Sequence, residues 1–470
     1  MPHNDLHTDA SRPLWGGRVR APLTARALEL SGTVDVDRPL APYDIRATRA
    51  HLPELERLGL IDPDGRGRLD AALATIDEGM VGGTFAWSEE HEDVHMNVEA
   101  AVRDAAGPEL AGQLQAGRSR NEEVVTDERL WLLDAVRRLD AAARQLQGTL
   151  VARAGEHLDT VVPAHTHTQP AQPTLLAHHL LAYVEMLDRD RGRLADAALR
   201  ADASPAGSGA AVGSGLPIDR EAVAHRLGFG GITRNSLDAV SDRDYAAELA
   251  AACATTMVHL SRLAADLVLW STPYYGFARI GDGHATGSSM LPHKRNPDVA
   301  ELVRGRAARA QSDLAAILAV QSGLPLGYHR DLQETRAPMQ RSVASLELCL
   351  AATDGMLRDT AFDADAMRGA ATRGHALATA LAERLLRAGV PFRDAHWRVG
   401  ELVAEAETAG CDLAAMPPER LRDALPELAG HDPIVPTLAE ALAAADLPGG
   451  TAPTRVRAAL ADARERIARP

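Results

Sequence analysis

LLDAVRRLDAAARQLQGTL, residues 132–150, decides how the rest of the chain is read. Its apolar positions Leu132, Val136, Leu139, Ala143, Leu146 and Leu150 advance by alternating steps of four and three. That spacing keeps them on one face of a helix for about five turns. A face of that length is covered only by other long helices. Stretches of similar character run from Pro173 to about Ala203, Asp242 to about Ser271, Pro297 to about Gln321 and Glu334 to about Thr360. Glycine-rich breaks separate them: SPAGSGAAVGSGLP at 204–217, GFARIGDGHATGSS at 276–289 and SGLPLGY at 322–328. Aromatic residues are only 3% of the chain and alanine is plentiful, which suits closely packed helices better than a β-sandwich. The expected architecture is mainly α in three parts. These are a helical segment 1–116, a central five-helix bundle 117–362 and a helical segment 363–470, with no internal repeat.

Composition narrows the function. The 470 residues carry a net charge of −15 without a basic block, which argues against nucleic acid and anionic membrane as partners. An anionic ligand would have to be held by local arginines. Cys253, Cys349 and Cys411 are odd in number and far apart, as in a reducing compartment. The opening MPHNDLHTDASRPLW lacks the apolar run of a secretory signal, and no uninterrupted apolar run of about 18 residues occurs. The expectation is a soluble, cytoplasmic protein.

Four segments gather polar residues where loops meet helices. GSSMLPHKRNPDVAE, residues 287–301, holds Lys294, the only lysine in the chain. The loop brings Ser288, Ser289, Lys294 and Asn296 together, and a serine beside a cation and an amide can act as an oxyanion or a nucleophile. A compact ammonium differs from a guanidinium in reach and hydration, so a chain that otherwise uses arginine keeps lysine here for a chemical reason. THTQPAQPT at 166–174 precedes a long helix, and its histidines, with His178 and His179, read as local hydrogen-bonding and capping groups. GRSRNEE at 117–123 starts another long helix with Arg118, Arg120 and Asn121, a set that fits carboxylates. YHRDLQETR at 328–336 adds Tyr328, Gln333 and Arg336. Taken singly, each is as well explained by a solvated loop or a charged helix start. HEDVH at 91–95 matches the zinc-peptidase pattern H-E-x-x-H, although five residues with two wild cards are a weak filter.

Taken together, the segments resemble the fumarase/aspartase superfamily and, within it, the argininosuccinate lyases. The residues that carry the resemblance are LWGGR at 14–18, EDVHMNVE at 92–99, GRSRN at 117–121, THTQPAQP at 166–173, GSG at 213–215 followed by PIDRE, and NSLDAVSDRD at 235–244. The signature loop at 282–297, GLPLGYHRDLQE at 323–334 and RAGVPFRDAH at 387–396 complete them. HEDVH is thereby accounted for as a lyase segment. The resemblance implies a homotetramer with a twenty-helix core and active sites shared by three subunits. It implies no cofactor and no metal, and a small N-substituted aspartate or fumarate as ligand. The implied reaction is an anti elimination that releases fumarate and an amine. Ser288 matches the catalytic base, with Lys294 and Asn296 supporting the aci-carboxylate intermediate and His167 paired with Glu301. Thr33, Arg120, Asn121, Thr166, Ser289, Tyr328, Gln333 and Arg336 match substrate-binding positions.

Some positions depart from the family. QAGRSRNEE stands where argininosuccinate lyases usually read H-T-G-R-S-R-N-D-Q, and Arg336 and Thr33 replace a binding lysine and serine. Glu122 and Glu123 are expected near the leaving-group end with Gln115, where they would favour a cationic amine and disfavour adenylosuccinate. Argininosuccinate is the default substrate, and an ethylenediamine–succinate type of adduct is the alternative. Two further readings are a zinc hydrolase built on His91 and His95 and a crystallin-like structural protein.

Overall fold

A computed structural model describes residues 23–469. The LWGGR stretch lies outside them. The five expected long helices are present: Arg120–Glu156, Leu176–Ala201, Asp244–Trp270, Asp298–Gln321 and Arg336–Asp359. The stripe read from residues 132–150 is buried throughout, with Leu132, Leu139, Leu146 and Leu150 at 0% exposure. Shorter helices flank this set and are started by the residues that favour helix starts. Asp62 precedes Pro63–Val81 and accepts from the Gly65 N–H, while Asp93 precedes Val94–Ala106 and accepts from the Met96 N–H.

The helix expected from Pro173 begins three residues later. Gln169–Leu175 is instead a strand, paired antiparallel with Val161–Thr166 from Val161↔Leu175 to Thr166↔Gln169. Pro163, Pro170 and Pro173 all lie in this hairpin and leave it irregular between Pro163 and His165. Proline removes ladder donors, so such a stretch reads as loop in sequence.

The chain packs as two compact units, each assembled from separate segments. The first contains the described residues up to Asp134 together with Ala198–Ala246 and Ala319–Ala337. Its core joins Ile45, Leu52 and Leu55 to Leu69, Leu73, Val98 and Val102. A second cluster sets Ala47 and Ala50 against Val223, Leu227 and Phe229. The second unit contains Ala135–Ala197, Ala247–Leu318 and Pro338–Pro470. Within its C-terminal part, Leu381, Leu385, Val399, Leu402, Leu421 and Leu425 form one cluster. Each fully buried leucine contributes roughly 1.5–3 kcal/mol over leaving it in water. Among the described residues Asp244–Trp270 is long and apolar enough to cross a membrane, by length and composition. Its Ala246, Leu249, Ala250, Cys253 and Met257 are buried in the protein, as a core helix requires.

Candidate active site

Six of the eight expected substrate-binding residues line one pocket in the first unit. The pocket is about 480 Å³ and is bounded by Thr33, Arg120, Asn121, Tyr328, Gln333 and Arg336, together with Asp37, Glu92, Asp93, His95 and Arg330. Asn121 sits in the first turn of Arg120–Glu156 and its Nδ2 donates to the Ala210 carbonyl at 3.0 Å. Arg120 reaches Asp93, the residue that also caps the helix Val94–Ala106, at 3.3 Å. Arg330 pairs with Glu92 and donates to the Ser31 carbonyl.

Arg336 is 3% exposed and is already engaged. Its Nη1 donates to Asp37 and its Nε to Glu128 at 2.8 Å. Glu128 is shared further, with Arg243 at 3.3 Å and with the Tyr245 hydroxyl. Thr33 donates to the other oxygen of Asp37. Thus Thr33 and Arg336 both hold Asp37 in the pocket wall. Burial, opposed by Arg336 and Arg243, keeps the Tyr328 phenol above its ordinary pKa, so it presents a neutral hydroxyl.

His95 stands at the base of the pocket with its Nδ1 3.0 Å from Asp44 and 3.8 Å from Asp127. Burial alone would discharge this ring. The adjacent Asp44, with Asp93 and Asp127, outweighs burial and raises the pKa to about 10, so His95 is an imidazolium at neutral pH. Among the described residues Asp44, His95 and Asp127 are the one group whose possible metal-ligating atoms lie within 4.8 Å of one another. The helix-borne zinc pair suggested by HEDVH is not formed. Asp93 ends the turn before the helix, so His91 lies outside the helix that carries His95, and the Glu92 carboxylate turns to Arg330.

The expected place of Glu122 and Glu123 is corrected by the structure. Both are 2% exposed and neither lines this pocket. Glu123 lies 3.0 Å from the Arg118 Nε, and Glu122 accepts from the Gly209 N–H. Charged residues at a helix start read as solvated in sequence, and only the packing of the glycine-rich segment buries them. The acids that do face the pocket are Asp37, Glu92 and Asp93. Asp37 was legible four residues after Thr33, one helical turn away; Glu92 and Asp93 lie in EDVHMNVE, a segment that carries the family resemblance and overlaps the zinc-like HEDVH.

The remaining expected residues belong to the second unit. Thr166 ends one strand of the hairpin, and His167 and Thr168 form its two-residue loop with φ of 55° and 60°. Positive φ at both loop positions is the conformation glycine and asparagine usually supply. A histidine and a threonine there each cost on the order of 1–2 kcal/mol, which the paired strands must hold. The exposed His167 ring is thereby carried at a fixed, outward tip.

The signature loop is closed in the same way. Thr286–Gly287 pairs with Arg295–Asn296, and Ser288 and Lys294 follow the last pair, Gly287↔Arg295, on opposite sides. Arg295 anchors the base of the loop on Asp282 and the Ile280 carbonyl. The Ser288 Oγ accepts from the Leu291 N–H at 3.0 Å and the Met290 N–H at 3.3 Å. Two N–H groups aimed at that oxygen favour its ionised form, which is what a serine base needs. Ser289, Lys294 and Glu301 are exposed and Asn296 is half-buried. Among the described residues His167 and Glu301 make no hydrogen bond to each other within one chain.

Residues 67–312 match the Lyase family, and residues 375–445 match the argininosuccinate lyase C-terminal family. The argininosuccinate lyase of Thiobacillus denitrificans is 44% identical over 453 residues, 96% of this chain and 98% of that protein. That of Symbiobacterium thermophilum is 43% identical over 458 residues, 97% and 99% of the two chains. Among solved structures, an EDDS lyase variant with bound fumarate superposes with a TM-score of 0.82 at 27% identity, covering 94% of this chain and 88% of that one. A class II fumarase from Schistosoma mansoni shares the fold with a TM-score of 0.72 at 18% identity, covering 86% and 90%.

Proposed function

This chain belongs to the argininosuccinate lyase family of the fumarase/aspartase superfamily, and from that premise we propose that it cleaves argininosuccinate to arginine and fumarate. It is a carbon–nitrogen lyase. The observation that carries the substrate reading is the mixed charge of the first-unit pocket. Arg120, Asn121, Tyr328 and Gln333 supply donors for carboxylates, while Asp37, Glu92 and Asp93 offer acids to a cationic leaving amine.

The elimination then proceeds on residues of the two loop tips. Ser288 takes the proton from the carbon beside a carboxylate, and the electron pair moves onto that carboxylate. Lys294 and Asn296 stabilise its second negative charge; preorganised donors of this type each supply roughly 3–4 kcal/mol. The C–N bond breaks, the C=C bond of fumarate forms, and the departing nitrogen takes up a proton and leaves in arginine. His167, tuned by Glu301, serves this proton exchange, with Thr166 and Ser289 binding substrate. The arrangement calls for more than one copy, since His167 and Glu301 do not meet within a chain. We infer a homotetramer with each site built from three subunits, to be checked as a mass of four 50.0 kDa chains by light scattering. The free Cys253, Cys349 and Cys411 fit a cytoplasmic location.

The test is to follow fumarate absorbance and product masses with argininosuccinate, an ethylenediamine–succinate adduct and adenylosuccinate. Argininosuccinate should be cleaved best. Adenylosuccinate should not be cleaved, because its phosphate meets the pocket acids. Efficient cleavage of adenylosuccinate with no activity on the cationic adducts overturns the reading. The likeness to EDDS lyase favours one second reading, a diamine adduct of succinate as the preferred substrate, and the same panel decides it.

A further inference from the structure

We propose that Glu122 is a positioning residue, whose buried carboxyl holds the glycine-rich segment 204–217 by the Gly209 backbone N–H and thereby fixes the carbonyl on which Asn121 rests at the pocket. The inference rests on the reading of that pocket as the substrate site.

The side chain spans from the start of the long helix to the glycine segment. Its carboxylate accepts from the Gly209 N–H. One residue further along the segment, the Ala210 carbonyl accepts the Asn121 amide at 3.0 Å, and the Ala211 carbonyl accepts from the Ser236 hydroxyl at 2.9 Å. The segment is already close-packed. Gly209 has φ +60°, and a Cβ there would meet the Gly213 carbonyl oxygen at 2.5 Å; a Cβ on Gly207 would meet Arg220 at 2.5 Å. Neither glycine can be exchanged, and the anchor that faces them is Glu122. Because Asn121 precedes Glu122 in the same helical turn, one turn of backbone carries both the pocket ligand and the group that fixes its support.

The Gly209 N–H needs one acceptor oxygen, which the carboxyl offers with or without its own proton. Burial raises the Glu122 pKa to about 7, against the Gly209 hydrogen bond and Arg118, which favour the anion, and with Glu123, which opposes it. The other charged or titratable groups around it are few. Arg220 faces it from the helix Arg220–Leu227, and its own charge is felt at Glu122. His51, from the helix Ala41–Arg57, lines the same small cavity of about 20 Å³ and is held near pKa 4 by burial and Arg118, so it stays neutral. Because release of the segment returns the carboxyl to its value in water, the anchor is full below pH 4.5 and weakens as pH rises through 7, when Asn121 loses its fixed support.

Two measurements test this on the full-length protein. The first is hydrogen exchange of the wild-type segment 204–217 at pH 6 and pH 8, expressed as protection factors. Protection at Gly209 should be about tenfold greater at pH 6 than at pH 8, because the bound segment, with the Glu122 pKa near 7, keeps a proton that the released one gives up. Equal protection at the two pH values overturns the proposal. The second compares wild type with Glu122→Gln, which keeps the shape and removes the titration. Wild-type KM should rise several-fold between pH 6 and pH 8 with kcat moved less, and Glu122→Gln should be flat over that range. A variant that keeps the wild-type pH profile of KM overturns the assignment to Glu122. Should wild type release fumarate from none of the adducts, the substrate reading fails by itself, and the exchange measurement still decides the role of Glu122.

Discussion

The pocket wall around Arg336 and the loop tip around Lys294 both carry cations, yet they are built in opposite ways. Arg336 is buried and locked between Asp37 and Glu128, beside a second buried arginine, Arg243. Lys294 is exposed, and among the described residues its side chain makes no ion pair. A charge fixed by buried partners shapes a wall and is costly to remove. A charge held in water by a short strand ladder is left unneutralised, and so remains available for charge that develops during reaction. The difference predicts that substitutions in the wall show first in stability, and those at the tips first in turnover.

The largest effect should follow Arg336→Met. Removing one partner of a buried ion pair leaves Asp37 with an uncompensated charge, while Glu128 keeps Arg243, a loss of about 3–5 kcal/mol. Denaturant unfolding measures it, and wild-type stability in the variant breaks the comparison. Next is Lys294→Arg, which keeps the charge and changes its reach and shape. Fumarate release should fall at least about a hundredfold with the unfolding curve unchanged; near-normal activity would remove the chemical reason for the only lysine.

A smaller effect is linked to pH. A histidine whose pKa is raised from 6.5 to about 10 contributes stability that is full below pH 6.5 and is lost as pH rises through 10. Wild type should therefore lose stability between pH 8 and pH 10 in a step absent from His95→Gln. If both proteins show the same step, another group is responsible. The smallest effect is expected of His91→Ala, with fumarate release within about twofold of wild type, as for surface substitutions away from a site. Metal analysis accompanies it. Stoichiometric zinc, with activity abolished by a chelator, would put a metal among Asp44, His95 and Asp127 in place of the charged ring.

Which features were legible follows from the range over which each is decided. Helix periodicity is local, since residues three and four apart share a face whatever covers them. Leu132, Leu139, Leu146 and Leu150 therefore announced a buried stripe, and four of the helix starts fell within about three residues of expectation. Lys294 stood out for another reason, as the lone exception in an otherwise arginine-only chain, and the chemical need read from it awaits the Lys294→Arg test. The hairpin that presents Thr166 and His167 was missed, since three prolines mask a ladder that forms only across strands.

The acids were where sequence and structure parted most. Glu122 and Glu123 follow Asn121 directly and so were placed at the substrate, while Asp37, Glu92 and Asp93 were passed over. The sequence by itself determined the long helices and the residues that gather in the pocket, because these depend on residue type and short spacing. Tertiary structure alone decided which charges face the pocket and which are buried in pairs. That choice rests on desolvation and on partners up to 299 residues away, as between Arg336 and Asp37, and no local pattern records it.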